Sequence, residues 1–465
     1  MQTSTTTDSA AVASQLESIV GAGHVLVGDA ITDELLTDES LGATPTRPAA
    51  VVLPGSAGEV AEVVALARAL GLALVPRGGA TGLSGGSVPI SGGLVVSFAR
   101  MNRILEIDEL NHVAVVQPGV TLEQLDAELG GRGFVYPVHP GEMSATLGGN
   151  VATNAGGMRA VRHGVTRHNV LGLELVLGTG EIIRTGGKFV KSSTGYDLTQ
   201  LVIGSEGTLA LVTEATLKLW PRLRYGATVL VPFPGLDEVT AVIPPIIASG
   251  LAPSILEYID LLTMRAITQS ESIDLGIPTE LQDQAAAYLV VVLEQTRADR
   301  VDEDVEALGE LLVEAGALEM FVLPPQKAAD LIRARERAFY VAKTSGANDI
   351  VDICVPRSEI APFLRSVGEL AVERGAFVVG CGHAGDGNVH LSVYSADPDE
   401  RHELMLEMFR RGMALGGVIS GEHGIGLHKR SYFLDLEDPA KLALMRRLKA
   451  AFDPDAVLNP GKLLD

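Results

Sequence analysis

Three glycine-rich segments in the first half of the chain constrain its fold more than any other feature. The first, PRGGATGLSGG at residues 76–86, places five glycines in eleven positions after a strand-like apolar run. The others occupy residues 139–164 and 190–219 and mix glycine with hydroxyl and amide side chains. Glycine lets the backbone approach a ligand closely, and successive N–H groups on such a backbone form an anion-binding concavity. Because a plain turn rarely needs five glycines, three such segments predict a large ligand with phosphates and several polar edges.

The secondary-structure pattern predicts two α+β domains around these segments. The first half contains strand runs such as AAVVLP and LALVPRGG, a helix opened by Ser56-x-x-Glu59, and a hairpin that turns at Gly178–Gly180. After Trp220–Tyr225 the pattern restarts, with strands such as AYLVVVLEQ and DIVDICVP and with helices at 236–249, 301–316, 326–341 and 358–374. We predict an N-terminal tail and helix over 1–46, with a disordered tail before Ala10, a ligand-binding domain over 47–222 and a second domain over 223–455. None of the three glycine-rich segments contains GxGxxG or GxxxxGK[ST], so a nucleotide bound by them would be held in neither a Rossmann nor a P-loop manner.

Composition narrows the class of protein. The chain of 465 residues is 46% hydrophobic and 20% charged, an ordinary globular mixture, with a net charge of −22. No basic tract suits a nucleic acid, and no apolar run approaches the ~18 residues of a membrane span. The two cysteines, Cys354 and Cys381, lie in strand-like runs and are expected to be buried, inert thiols in a reducing compartment. We therefore expect a cytoplasmic protein, or one at the membrane periphery.

Two polar loops near the C-terminus predict a metal site. GHAGDGNVH at 382–390 supplies His383 and His390, and SGEHGIG at 420–426 supplies Glu422. Two imidazoles and one carboxylate are a set that a borderline divalent ion accepts. Spacing alone is weak evidence for such a site, since a single histidine is more often a structural residue. Three alternative roles fit His423: a general base, a fourth metal ligand, or a histidine hydrogen-bonded to a helix end.

The motifs resemble a known family of flavoproteins. PRGGATGLSGG, SATLGGNVATNAGG and GYDLTQLVIGSEGTLALVTEATL are similar to the FAD-binding domain of vanillyl-alcohol-oxidase-type enzymes. GHAGDGNVH, SGEHGIG and the terminal NPGK resemble the D-2-hydroxyacid dehydrogenase branch, which includes D-lactate dehydrogenase, D-2-hydroxyglutarate dehydrogenase and the flavin subunit of glycolate oxidase. The resemblance runs from about Arg47 to the C-terminus. It implies a two-domain α+β flavoprotein with an FAD-binding domain, a substrate or cap domain, and a segment over 456–465 that returns to the flavin.

The resemblance also implies the cofactor contacts. The first loop would wrap the pyrophosphate, the second would line the flavin and ribityl chain, and the third would meet the adenine side or the ring. The cofactor-binding residues predicted in this way are Arg77, Gly78, Gly79, Thr81, Gly82, Leu83, Ser84, Gly85, Pro140, Gly141, Thr146, Gly149, Asn150, Thr153, Gly157, Glu206, Gly207, Val212 and Asn459. The first loop has no histidine, so we expect FAD to be bound non-covalently.

The branch further implies the chemistry. Its members bind zinc or manganese through the set matched here by His383, His390 and Glu422, and His423 matches the general base. Arg335 in LIRARERAFY matches the arginine that clamps the substrate carboxylate, with Arg337 as the reserve. We therefore expect hydride transfer from C2 of a D-2-hydroxy acid to flavin N5. Phe339 favours D-lactate or glycolate over D-2-hydroxyglutarate, because it is apolar where a diacid enzyme would place a hydroxyl.

Three rival functions remain at the level of the sequence. One is a metal-independent alcohol oxidase on the same fold, and another is a transferase resembling the ether-lipid synthases. The third is a flavin-binding subunit without activity. Oxygen, a quinone, a cytochrome or an electron-transfer flavoprotein fits equally well as electron acceptor. The sequence is equally compatible with a monomer and with an oligomer.

Overall fold

The computed structural model describes residues 9–464 of the chain. The predicted N-terminal tail, residues 1–8, lies outside the described residues. Eighteen strands are described: β1 (Val25–Leu26), β2 (Ala50–Val52), β3 (Leu74–Arg77), β4 (Leu94–Ser97), β5 (Ile104–Asp108), β6 (Val113–Val116), β7 (Phe134–Val135), β8 (Val170–Leu177), β9 (Ile182–Gly186), β10 (Ala210–Lys218), β11 (Trp220–Pro221), β12 (Tyr225–Phe233), β13 (Ile255–Asp260), β14 (Ala287–Gln295), β15 (Phe321–Val322), β16 (Asp349–Cys354), β17 (Phe377–His383) and β18 (Asn388–Tyr394).

Eighteen α-helices are described in the same range. They are α1 (Ser9–Val20), α2 (Ala57–Leu70), α3 (Leu122–Gly130), α4 (Leu147–Thr153), α5 (Ala160–His163), α6 (Thr166–Asn169), α7 (Leu198–Val202), α8 (Leu236–Ala241), α9 (Ile243–Ala248), α10 (Leu261–Ser270), α11 (Thr279–Gln284), α12 (Ala298–Glu314), α13 (Pro325–Glu336), α14 (Ala338–Thr344), α15 (Ile360–Glu373), α16 (Pro398–Ala414), α17 (Arg430–Leu436) and α18 (Pro439–Phe452). Among the described helices, none has both the length and the apolar character needed to cross a membrane.

The first half of the chain forms two main sheets. One has the order β1-β2-β4-β3, with β2, β4 and β3 parallel, as expected for strands joined by the crossover helix α2. The other is antiparallel with the order β5-β6-β10-β8-β9, and it includes the predicted hairpin β8–β9. Ser56 caps α2 by accepting a hydrogen bond from Glu59 N–H (3.2 Å). The Glu59 carboxylate accepts from Gly55 N–H (2.7 Å) and not from Ser56, so the predicted capping box is only half formed.

The second half forms one antiparallel sheet of seven strands in the order β15-β12-β14-β13-β17-β18-β16. Its central strands are apolar on both sides because helices cover both faces. One face packs against a cluster that includes Phe233, Phe363 and Phe409, and the other against a cluster that includes Ile259 and Leu331. This two-sided burial explains the long apolar run that predicted β14.

Two predicted helices are wrong as single elements. Residues 236–249 form α8 and α9, which meet at Val242, because Pro244 and Pro245 lack N–H donors and their rings crowd the preceding turn. Residues 326–341 form α13 and α14, which are separated at Arg337. No glycine or proline marks this second break, so the sequence carries no signal for it.

The C-terminal segment after α18 returns to the first half of the chain. Leu74 N–H donates to Val457 O (2.7 Å), and Asn459 N–H donates to Leu74 O (2.7 Å). Residues 457–459 thereby run beside β3, the strand that leads into the first glycine-rich segment. This contact brings Asn459 next to that segment.

Candidate active site

A first cavity lies among the glycine-rich segments. Of the residues predicted to bind the cofactor, thirteen line it: Gly78, Gly79, Thr81, Gly82, Ser84, Thr146, Gly149, Asn150, Thr153, Glu206, Gly207, Val212 and Asn459. They come from all three glycine-rich segments and from the C-terminus. The structure thus brings together parts of the chain that are up to about 380 residues apart, as a large ligand with several polar edges requires.

The wall of this first cavity fits an FAD molecule. Three buried polar atoms in it have no hydrogen-bond partner among the described residues: Asp38 Oδ2, Asn150 Nδ2 and Asn459 Oδ1. Buried polar groups are normally paired, so these atoms suit the polar edges of a ligand. A Cβ at Gly82 would meet no protein atom within 4 Å, which leaves the backbone there open to the cavity. A Cβ at Gly78 would lie 2.2 Å from Thr146 Oγ1, so glycine is required where the loop packs on α4.

The other predicted cofactor residues lie elsewhere. Leu83, Pro140, Gly141 and Gly157 line a second, neighbouring cavity. Gly85 lines neither cavity and packs against His428, whose ring would lie 2.8 Å from an added Cβ. The Arg77 guanidinium lies in neither wall, because it donates to the carbonyls of Glu34 (2.5 Å) and Thr37 (2.8 Å). Its side chain therefore anchors the N-terminal segment and does not extend into the first cavity.

The predicted metal ligands converge in the wall of the second cavity. His383 ends β17 and His390 lies on the adjacent β18, and their rings meet edge to face with centroids 4.9 Å apart. Glu422 Oε1 lies 3.0 Å from His383 Nε2 and 3.1 Å from His390 Nε2. The candidate ligand atoms of these three residues all lie within 4.8 Å of one another. Hence the geometry suits a single divalent ion with two nitrogen ligands and one oxygen ligand.

Electrostatics in this ligand cluster also fit a cation. Burial lowers the pKa of His383, but the carboxylates of Glu257 and Glu422 outweigh burial and raise it to about 10. Burial raises the pKa of Glu422, but His383 and His390 hold it well below its usual range. The buried carboxylates thus demand positive charge at this point, which a divalent ion supplies without a proton on His383.

Glu257 on β13 is a central residue that the sequence analysis missed. It is fully buried, its Oε1 lies 2.5 Å from His383 Nδ1, and its Oε2 lies 2.7 Å from Arg335 Nη2. A carboxylate on the far nitrogen of a ligating histidine fixes the orientation of the ring and increases its basicity. The ion pair with Arg335 is close but is not aligned as a hydrogen bond, so Nε and Nη2 of Arg335 keep unused donor capacity.

The arginines of the LIRARERAFY segment, and Lys343 just after it, differ in burial and in their ion-pair partners. Arg335 is buried in the wall of the second cavity. Arg337 is exposed and pairs with Glu271 (3.2 Å), and Arg333 is exposed and pairs with Asp330. Lys343 pairs with Glu39 (2.7 Å) at the surface. Of these four cations, only Arg335 lies where a ligand beside the histidines would meet it.

Asp352 on β16 is a second residue that the sequence analysis missed. It is fully buried and accepts hydrogen bonds from Glu422 N–H (3.1 Å), His423 N–H (2.8 Å), and the side chains of Ser420 (2.7 Å) and Asn388 (2.8 Å). Three of these donors bond Oδ2 and one bonds Oδ1, so the carboxylate orients the loop that carries Glu422. For both Glu257 and Asp352, the signal available in the sequence was an acid within a strand run that is otherwise mainly apolar.

His423 lies where the two cavities meet, because it lines both of them. Its ring stacks on that of His390 with centroids 5.0 Å apart. Its Nδ1 is 3.8 Å from Asp352 Oδ2. Burial lowers the pKa of His423 to about 4, so the imidazole is neutral near pH 7.

Glu206 joins the two halves of the site. Its buried carboxylate accepts hydrogen bonds from the N–H groups of Ile425 (2.8 Å) and Gly426 (2.7 Å). Ser84 of the first glycine-rich segment reinforces this contact by donating to Gly424 O (3.0 Å). The loop that carries Glu422 and His423 is therefore fixed directly to the wall of the first cavity.

Comparison with known proteins assigns the family. Residues 48–186 match the FAD binding domain family, and residues 222–463 match the family of FAD linked oxidases, C-terminal domain. The chain therefore belongs to the FAD-linked oxidases and is an FAD-linked oxidoreductase. The match confirms the predicted family and the predicted two-domain α+β fold.

Named relatives place the chain within the D-2-hydroxyacid dehydrogenase branch. It is 53% identical to an uncharacterized FAD-linked oxidoreductase of Mycobacterium tuberculosis, over 96% of this chain and 97% of the relative. It is 37% identical to a D-lactate dehydrogenase of Anaerostipes hadrus (95% and 94%) and 38% identical to glycolate oxidase subunit GlcD of Bacillus subtilis (91% and 91%). Among solved structures, 4-ethylphenol oxidase from Gulosibacter chungangensis shares the fold, with a TM-score of 0.78 at 20% identity over 98% and 97% of the two chains.

Proposed function

We propose that this protein oxidises a D-2-hydroxy acid to the 2-oxo acid, with FAD as the electron acceptor within the enzyme and a divalent ion at the His383–His390–Glu422 cluster. The observation that carries the proposal is the position of His423. This neutral imidazole lines both the glycine-walled cavity and the cavity that contains the ligand cluster and Arg335. A candidate proton acceptor, a cation that can bind a carboxylate and the cluster of candidate metal ligands thus lie next to each other beside the cofactor site.

The cofactors follow from the two cavities. FAD suits the first cavity and is held without a covalent bond, because residues 76–86 contain no histidine. Zinc and manganese both accept the ligand set of the second. When bound, FAD supplies a two-electron acceptor, and the ion supplies a Lewis acid that lowers the pKa of a coordinated hydroxyl.

The side chains of the site bind the substrate carboxylate, accept the hydroxyl proton and orient the candidate metal ligands. Arg335 holds the substrate carboxylate through the donors that Glu257 leaves free. His423 accepts the hydroxyl proton, a role that suits a neutral imidazole. Glu257 and Asp352 are positioning residues, since they orient His383 and the loop over 420–426 respectively.

The side chain of the substrate is expected to be uncharged. Phe339 lines the second cavity, and the charged Glu336 in the same wall is already paired with His139 (2.7 Å). Arg335 is the only lysine or arginine among the residues that line this cavity, and it is needed for the C1 carboxylate. D-lactate and glycolate are the simplest acids of this kind, and D-2-hydroxyglutarate is the alternative that this wall disfavours.

An anaerobic screen tests this function. We expect D-2-hydroxy acids to bleach the oxidised flavin absorbance, with the L-enantiomers much slower. A transferase or a flavin-binding subunit without activity would show no bleaching with any of them. Bleaching by simple alcohols and phenols, with none by 2-hydroxy acids, would instead support the metal-independent alcohol oxidase.

A further inference from the structure

The second cavity extends far beyond the ligand cluster. Its volume is about 530 Å³, within the ~300–1,000 Å³ that small-molecule sites typically occupy. Part of this space belongs to the wall formed by Pro140, Gly141 and Gly157, which the family resemblance assigns to the flavin. The remainder lies over the seven-stranded sheet, and its shape follows from the two strands that carry the histidines.

Two adjacent strands form the floor of this space. On β17, Phe377, Val379, Cys381 and His383 alternate along one face, as side chains on a strand do. Their registered partners on β18 line the same cavity, with Tyr394 opposite Phe377, Ser392 opposite Val379, and His390 opposite Cys381. The floor therefore carries ionisable imidazoles only at the histidine end, and beyond them its polar groups are the uncharged hydroxyls of Ser392 and Tyr394.

This floor has a definite length. Tyr394 follows His390 by four residues, which at ~3.3 Å per residue is about 13 Å. The rings of Phe377 and Tyr394, whose centroids lie 5.6 Å apart, mark the far end of the floor. Phe377 is half-exposed, so the cavity opens to solvent at that end.

Two helices form the side walls with uncharged residues. From α10 come Leu262, Thr263, Ala266 and Ile267, and from α14 come Ala338, Phe339, Val341 and Ala342. The charged groups of the lining lie in the ligand cluster, in Arg335, and in Glu336, which is paired with His139. Away from the cluster, the cavity thus offers burial to an apolar group and no cation to a second carboxylate.

We infer that the preferred substrates are D-2-hydroxy acids with a long, uncharged aliphatic side chain, which lies along the face of β17 and β18. The inference rests on the proposed function and specifies its substrate class. With C1 and the hydroxyl at Arg335 and the ligand cluster, the chain runs from His390 towards Phe377 and Tyr394. Glycolate has no side chain and D-lactate only a methyl group, so both leave this apolar wall uncovered.

Chain length gives the quantitative expectation. Each buried CH₂ group contributes about fourfold to binding, a factor that corresponds to ~0.8 kcal/mol. We therefore expect kcat/KM for flavin reduction to rise by about fourfold per added CH₂ group from D-lactate through D-2-hydroxybutyrate and D-2-hydroxyhexanoate to D-2-hydroxyoctanoate. D-2-hydroxyglutarate, similar in length to the hexanoate but charged at its far end, should fall well below it.

The experiment measures this series anaerobically on the enzyme with its FAD, and it measures binding of the matching products by calorimetry. 2-Oxooctanoate should bind much more tightly than pyruvate. If D-lactate bleaches the flavin but kcat/KM does not rise with length, the inference is wrong and the proposed function stands. If no member of the series bleaches the flavin, both are wrong.

Variants locate the effect on the sheet. Val379→Phe places a ring midway along the floor, and Ala266→Phe narrows the helical wall. Each should reduce the ratio of kcat/KM for D-2-hydroxyoctanoate over D-lactate. The matched control Val372→Phe changes an exposed position on α15 and should keep the wild-type ratio. If both cavity variants fold and retain the wild-type ratio, the chain does not lie on this face and the inference fails.

Discussion

Glu257 links the carboxylate-binding arginine to the ligand cluster. It contacts Arg335 through one oxygen and His383 through the other, and it is fully buried. Removing a buried charge that lies between two charged partners destabilises a protein strongly, because the partners are then left uncompensated. One carboxylate therefore determines the orientation of two residues with different roles in the proposed reaction.

The change Glu257→Gln tests this role. We expect affinity for the divalent ion to fall by about 10- to 100-fold, because His383 loses the charged acceptor that orients its ring. The thermal midpoint should fall as well, since Arg335 loses its buried partner. Competition with a chromogenic chelator and a thermal melt measure the two effects. Glu271→Gln, which removes the partner of the exposed Arg337, is the control, and equal metal affinity in both variants would contradict the assignment.

Individual ligands were easier to predict than the residues that support them. His383, His390 and Glu422 lie in polar, glycine-rich stretches of the sequence, which the surrounding apolar runs make easy to recognise. Glu257 and Asp352 each lie inside a mainly apolar strand run, and their partners are distant in sequence. Which residue a buried acid contacts depends on strand order, and no local pattern in the sequence specifies that order.

The loop over 420–426 is the element on which the site depends. Glu206 holds it through the N–H groups of Ile425 and Gly426, and Asp352 holds it through those of Glu422 and His423. The resemblance assigned Glu206 to the adenine side or the ring. The structure places its carboxylate on this loop as well as in the wall of the first cavity.

The change Glu206→Gln tests the attachment of this loop. An amide keeps one acceptor oxygen but presents a donor to the second N–H group, so one of the two hydrogen bonds is lost. Amide hydrogen exchange at Ile425 and Gly426 should become faster, and flavin reduction should slow by about 100-fold, since a displacement of ~1 Å can cost that much. Glu109→Gln, which removes an exposed ion pair with Arg132, is the control. Unchanged exchange at both amides would show that Glu206 does not hold the loop.

Most elements were predictable because their periodicity is strong. β14 and β16 were recognised as strand runs, and α2 by the sequence Ser56-x-x-Glu59 at its start. The strand β13 was missed, although it is central in the sheet, because its six residues include two acids. The break between α13 and α14 at Arg337 was missed because no helix-breaking residue marks it.

At the level of the whole chain, the proposed reaction depends on two cavities and on one histidine. The glycine-walled cavity belongs to the first half of the chain and to the returning C-terminus, whereas the ligand cluster belongs to the seven-stranded sheet. His423 lines both. The glycine-rich segments predicted the first cavity, but the size and apolar wall of the second arise from long-range packing that the sequence did not reveal.

The most direct test of the account follows flavin reduction by a D-2-hydroxy acid under anaerobic conditions, together with metal content. The protein is measured as isolated, after chelation, and after zinc or manganese is restored, with His390→Ala and His423→Ala in parallel. We predict that chelation and His390→Ala abolish reduction while FAD stays bound, that the restored ion recovers the wild type, and that His423→Ala keeps its metal but slows reduction by about 10²- to 10⁴-fold. A wild type that reduces its flavin at full rate without stoichiometric metal would contradict the account.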